Sequence, residues 1–119
     1  MAGIHTTILI DLSYSGLVIP QRTIVQAGTI VSFKLNRKKE EFNYSEMPFN
    51  GATVELYFDR KSPFDFNTGL LFRHRINEQE SMILAENSAD KPGDYKYGVR
   101  VVERGITRYD EDPFLIVFP

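Results

Sequence analysis

The sequence predicts an all-β domain: an antiparallel Greek-key β-sandwich of about seven to nine strands with at most a short helical turn. Three observations predict it. Apolar and polar residues alternate with a period of two in segment after segment, which gives each strand one face for a core and one for water. Clusters of Gly, Pro, Asn, Asp and Ser cut these segments at short intervals. No stretch carries an apolar stripe at helical spacing, and neither heptads nor internal repeats occur.

The elements follow in order. Residues 4–12 alternate, with Ile8, Ile10 and Leu12 on one face, until Ser13-Tyr14-Ser15-Gly16 breaks the run. Leu17 to Ile19 are extended, and Pro20 marks an edge or a bulge because it cannot donate to a ladder. Thr23 to Val25 resume the pattern up to the Ala27-Gly28 turn. Residues 29–36 form a strand with Val31, Phe33 and Leu35 together. The charged run Arg37-Lys38-Lys39-Glu40-Glu41 reads as a solvated loop, and residues 42–52 as an irregular aromatic segment ending in the Asn50-Gly51 turn.

Residues 53–58 alternate again, with Val54, Leu56 and Phe58 on one face. A turn-rich insert follows, whose Phe64 and Phe66 are expected to cover one end of the core. Residues 70–76 align Leu70, Phe72, His74 and Ile76, and Asn77 to Glu80 form a polar turn. Residues 81–86 fit a short strand or one helical turn equally well. Residues 94–103 alternate strictly, with Tyr95, Tyr97, Val99 and Val101 opposite Asp94, Lys96, Gly98 and Arg100. A loop over 104–112 and a final strand over 113–118 complete the chain, the latter with Phe114, Ile116 and Phe118 on one face. The expected core is Val31, Phe33, Leu35, Val54, Leu56, Phe58, Phe72, Tyr97, Val99, Val101, Phe114 and Ile116.

The bulk numbers fit one domain over residues 1–119. Apolar residues reach 42% and aromatics 13%, enough for a sizeable core and too much for a disordered chain. Fourteen basic and sixteen acidic residues leave a formal charge of -2, without the positive excess of a backbone-binding nucleic-acid protein. Cysteine is absent, which excludes a disulfide scaffold, a thiolate zinc site and a cysteine nucleophile. The first residues lack a signal peptide's basic and apolar regions, and no apolar stretch has membrane-helix length. Together with the missing cysteine this favours the cytoplasm while leaving the location open.

Two segments, Ala27-Gly28-Thr29-Ile30-Val31-Ser32-Phe33 and Pro92-Gly93-Asp94-Tyr95-Lys96-Tyr97-Gly98-Val99-Arg100-Val101, resemble the glycine turn with its following strand and the penultimate strand of immunoglobulin-like or cupredoxin-like sandwiches. Residues 113–118 would then be the last strand. The resemblance implies a fold and no chemistry. A cupredoxin copper site needs a cysteine thiolate and two histidines. This chain has no cysteine, its only histidines are His5 and His74, and residues 104–112 hold neither. The disulfide and core tryptophan of antibody domains are missing as well.

The search for chemistry assigns no catalytic, cofactor-binding or metal-ligating residue and no cofactor. His74 shares a face with Phe72 and Ile76 and reads as a satisfied structural histidine; His5 lies near the start of the chain. Asp110-Glu111-Asp112, like Asp90 and Asp94, reads as solvated acid compensated by Arg104 and Arg108 nearby, without an EF-hand spacing. The glycines are scattered as turn glycines are, and Asn43-Tyr44-Ser45 matches a glycosylation sequon of low specificity. Rings and cations interleave at Phe33-Lys34 and Tyr95-Lys96-Tyr97, but neighbours on a strand face opposite sides, so no single-stranded nucleic-acid groove is expected.

The expected function is a non-catalytic binding or assembly module. Its partner would be a protein or a second copy, not a nucleic acid or a membrane. The contact surface is expected at the aromatic loop 42–50, the Phe64–Phe66 insert, or the final hairpin, whose closing segment Pro113–Phe118 is apolar on both faces. The alternatives are a small enzyme with a loop-borne site around His74 and a carboxylate, and a carbohydrate-binding or calcium-stabilised module.

Overall fold

The computed structural model of the chain describes residues 4–37, 49–58, 61–64, 71–76 and 80–119. These residues contain no helix and ten strands: β1 (His5–Ser13), β2 (Gly16–Val18), β3 (Arg22–Gln26), β4 (Thr29–Arg37), β5 (Thr53–Phe58), β6 (Leu71–Arg75), β7 (Ser81–Ala89), β8 (Gly93–Glu103), β9 (Ile106–Glu111) and β10 (Phe114–Phe118). They build two packed sheets. One has four strands in the order β2-β1-β4-β7. The other has six, in the order β3-β10-β8-β5-β6, with β9 also on β8. The long β8 has three neighbours: β5 along one edge, and on the other β10 beside its first residues and β9 beside its last.

The sheets are mixed, not purely antiparallel as expected. β1 runs parallel to β4, with Ile8 opposite Phe33, and β3 runs parallel to β10, with Val25 opposite Val117. The reason is the path of the chain. It leaves the four-stranded sheet after β2, passes Pro20, adds β3 to the edge of the other sheet, and returns through Ala27-Gly28 to β4. A strand reached by crossing between layers can align parallel without a helix. Alternation along a strand says nothing about its direction.

Residues 104–112, expected as a loop, contain β9. Arg104 (φ 51°) and Gly105 (φ 76°) both lie in the left-handed region, the requirement of a two-residue type I′ hairpin between Glu103 and Ile106. β9 is an edge strand with little burial on either face, so it carries no apolar alternation. The ambiguous segment 81–86 belongs to the nine-residue β7. Its pairing with β4 slips between Phe33–Ala85 and Lys34–Ile83, so Leu84 is an extra residue in a bulge. Consecutive Leu84 and Ala85 are therefore both buried, and this break in the period is what imitates a helical turn.

The final strand turns the other way from the expectation. Leu115 and Val117 are buried, whereas Phe114 and Phe118 are 43% and 45% exposed. Register decides this. Leu115 sits opposite Tyr95, which faces the core, and Phe114 sits opposite Lys96, which faces water. Ile116 is half-buried on the outer side. Arg37, expected in a solvated loop, is the last residue of β4 and fully buried; its Nη1 donates to Asn50 Oδ1 in the Asn50-Gly51 turn. Residues 38–48, the sequon, Phe66, Leu70 and residues 77–79 lie outside the described residues.

The buried side chains form one cluster between the sheets. Of the expected core, Val31, Phe33, Leu35, Val54, Leu56, Phe58, Tyr97, Val99 and Val101 are buried, and Phe72 packs against them partly exposed. Phe64 is buried as well and closes the aromatic centre. The Phe33 ring meets Phe58 at 6.4 Å, Phe64 at 6.3 Å and Tyr97 at 5.3 Å, all edge to face.

Tyr97 brings a hydroxyl into this apolar centre. Its Oη is buried and has no hydrogen-bond partner among the described residues. Desolvation holds its phenol well above the ordinary 10.0, because the phenolate would be far from water. Tyr97→Phe removes an unsatisfied polar atom at constant shape and is expected to raise stability by about 1 kcal/mol at neutral pH. The pH dependence has a definite sign. The fold favours the neutral phenol, so that contribution is complete below pH 10 and is lost as the unfolded chain ionises above it. Urea unfolding at pH 7 and above pH 10 checks both: wild type should lose up to about 1.4 kcal/mol per pH unit through Tyr97, and the Phe variant should lack that share.

Candidate functional site

The outer face of the six-stranded sheet carries a row of apolar side chains and, beside it, a group of ion pairs and ring contacts. Pairing registers place its members in rows. Arg22, Phe114 and Lys96 form one row across β3, β10 and β8; Ile24, Ile116 and Asp94 form the next; Gln26 and Phe118 follow. Ile24 is 56% exposed. Ile24, Phe114, Ile116 and Phe118 thus make a continuous apolar stripe on two adjacent strands. Isolated apolar side chains are ordinary on a protein surface, but a contiguous set rimmed by charges marks a contact area. Lys96 Nζ lies 5.9 Å from the Phe114 ring centre and 3.7 Å from Asp112 Oδ2.

Beyond Lys96 the same face becomes ionic. Glu55 on β5 is buried and pairs with two arginines: Arg73 Nε donates to Oε2 at 2.9 Å, and Arg100 Nε lies 3.3 Å from Oε1 without hydrogen-bond alignment. The Arg100 guanidinium lies over the Tyr57 ring, 4.4 Å from its centre. That ring lies across Gly98: a Cβ at position 98 would come within 2.1 Å of Tyr57 Cζ. The glycine is thus required by a close approach and not by its backbone angles. Tyr57 Oη donates to Asp110 Oδ1 at 3.4 Å. Burial first, then Asp110, pushes the phenol above its ordinary value against the opposing pull of Arg100. Tyr57, Lys96, Asp112 and the Tyr97 segment line an open pocket of about 360 Å³.

A second pocket, of about 420 Å³, lies where β9 approaches β2 and is lined by Tyr14, Phe49, Glu103, Arg108 and Tyr109. Tyr109 Oη donates to the Tyr14 carbonyl at 2.8 Å and ties the two sheets on this side. Glu103 and Arg108 pair at 3.2 Å.

The histidines do not meet. His74 Nε2 donates to the Leu84 carbonyl at 2.9 Å. That carbonyl belongs to the bulge residue of β7, so His74 on β6 uses the bulge to tie the opposite sides of the sandwich. His5 Nε2 lies 2.6 Å from Ser32 Oγ and 3.4 Å from Glu86 Oε2, and the Ser32 hydroxyl donates to Glu86. A serine, a histidine and a glutamate in contact invite comparison with a catalytic triad, but the order of contacts is wrong. The carboxylate accepts the serine's hydrogen bond directly and reaches the same imidazole nitrogen, instead of orienting the other one. Ser32 is also only 1% exposed, beyond the reach of a substrate.

The acids are separate. Asp110 meets Tyr57, Asp112 meets Lys96, Asp90 accepts from Ser88 Oγ at 2.6 Å, and Asp94 stands beside Ile116. Among the described residues, no group of three or more His, Asp or Glu side chains converges as a metal site would require. Tyr57 and Gly98 stand in the sequence only as part of a ring–cation interleave and of a polar strand face, and Glu55 carries no expected role there. The available signal was the glycine inside a strictly alternating strand, which marks close approach of another group.

Comparison of the chain with protein-family models, with curated proteins and with solved structures finds no significant match.

Proposed function

We propose that this chain is a non-catalytic assembly module that associates with a second copy through the outer face of β3 and β10. The observation that carries the reading is the continuous apolar stripe of exposed Ile24, Phe114 and Phe118 around half-buried Ile116. Its rim is self-complementary. Lys96 flanks Phe114, and Asp94 flanks Ile116 one row on. A two-fold axis between these rows sets Lys96 of each copy opposite Asp94 of the other, with Phe114 against Ile116. The immunoglobulin-like or cupredoxin-like Greek-key resemblance, at the level of fold, belongs to the same proposal, supported by the Gly28 turn into β4 and the pairing of β8 with β10.

Sedimentation velocity over a concentration range tests the assembly. The wild type should shift from monomer to dimer by about 100 μM, and Phe118→Ser should remain monomeric at the same concentration. A strict monomer for the wild type there rejects self-association.

A further inference from the structure

We infer that the Tyr57 pocket is a binding site for a neutral saccharide ring. The inference goes beyond self-association and rests on Tyr57, Gly98, Arg100 and Asp112 of the same face, sharing only Lys96 with the rim of the stripe. It starts from a structural oddity: a buried carboxylate on the outside of a sheet. Glu55 contributes nothing to the core, and burying its charge is costly unless it is paired. It holds Arg73 and Arg100, and Arg100 backs one face of the Tyr57 ring. Gly98 removes the side chain on which the ring would otherwise collide. Asp110 Oδ1 accepts the phenol's hydrogen bond. Four groups on three strands therefore fix the orientation of one aromatic ring, which no requirement of the core explains.

Lys96 and Arg100 flank Gly98 on the same face of β8. The pocket beside the ring is lined by Tyr57, Lys96, Tyr97 and Asp112. A ligand there meets an aromatic surface, a carboxylate that accepts from hydroxyls, and an ammonium that donates to oxygen. The pocket volume of about 360 Å³ falls within the roughly 300–1,000 Å³ of small-ligand sites. Charge narrows the ligand class. Lys96, Arg73 and Arg100 balance Glu55, Asp110 and Asp112 one for one, so the site selects neither an anion nor a cation. A pyranose matches what remains: a flat C–H face for the ring and adjacent hydroxyls for the Lys96–Asp112 pair.

The test is an amide-shift titration by ¹H–¹⁵N NMR of the full chain with the methyl glycosides of glucose, galactose and mannose and with N-acetylglucosamine. Concentrations up to about 50 mM suffice for a millimolar site. The expected result is saturable shifts at Lys96, Gly98 and Asp112 with at least one sugar, weakened at least tenfold by Tyr57→Ala and by Asp112→Ala. Asp112 has a side chain 64% exposed, so its variant keeps the fold even where the Tyr57 variant does not. Phe118→Ser should bind sugar as the wild type does, which separates this site from the assembly stripe. No saturable shift with any of the four sugars overturns the inference. So does binding that survives Asp112→Ala, or saturation by choline or inorganic phosphate in place of a sugar.

Discussion

Phe33→Ala should destabilise the protein by about 3–5 kcal/mol, measured by urea unfolding against the wild type. Phe33 lies at the middle of β4, the central partner of β1 and β7 in the smaller sheet, and is 1% exposed. Its ring is the one that Phe58, Phe64 and Tyr97 all approach edge to face, from the opposite sheet and from the segment covering it. Removing it loses the transfer energy of the ring and leaves a cavity that three stiff neighbours cannot collapse into. Each aromatic pairing adds roughly 0.5–1.5 kcal/mol beyond buried area, so the cost belongs at the upper end of the range. A loss below about 1 kcal/mol would mean that the two sheets do not meet at this ring.

The second large effect is a contrast between adjacent residues. Leu115→Ala should cost about 2–5 kcal/mol, and Phe114→Ala should stay within about 1 kcal/mol. Leu115 is fully buried on β10, between Thr23 of β3 and Tyr95 of β8. Phe114 loses a larger side chain but only a half-exposed one, whose contacts are the surface stripe and the Lys96 ammonium. Chemical denaturation of the two variants at low protein concentration reads the monomer alone. Equal costs at both positions, or the greater cost at Phe114, would reverse the face assigned to β10. The proposed self-association adds that Phe114→Ala should weaken dimer formation in sedimentation while leaving the monomer's unfolding midpoint nearly unchanged.

These two positions show where the sequence is sufficient and where it is not. Alternation in residues 29–36, 53–58 and 94–103 determines both the strands and their inward faces, because in each of them one face is apolar and the other polar. The class of fold follows, since such strands can bury their faces only against one another. The strand over 113–118 is apolar on both sides, so period alone cannot orient it; the register with Tyr95 and Lys96 does. β9 escapes detection because an edge strand needs no apolar face, and β7 because the Leu84 bulge breaks its period.

The candidate site was legible only in fragments. Gly98 stands in plain view in the sequence, but its reason is the Tyr57 ring, brought from a strand more than forty residues earlier in the chain. Strand direction, Arg37 burial, the His74 tie to the bulge, and the meeting of Glu55 with Arg73 and Arg100 share that character. Each depends on which strands become neighbours, and hydrophobic periodicity encodes the face of a strand without naming its partner. The sequence by itself determined the β class, the main core and the absence of thiol chemistry. The tertiary structure alone decided the mixed ladders, the outward face of β10, and the assembly of the ionic and aromatic groups around Tyr57, because only pairing across sheets brings distant residues within hydrogen-bond range.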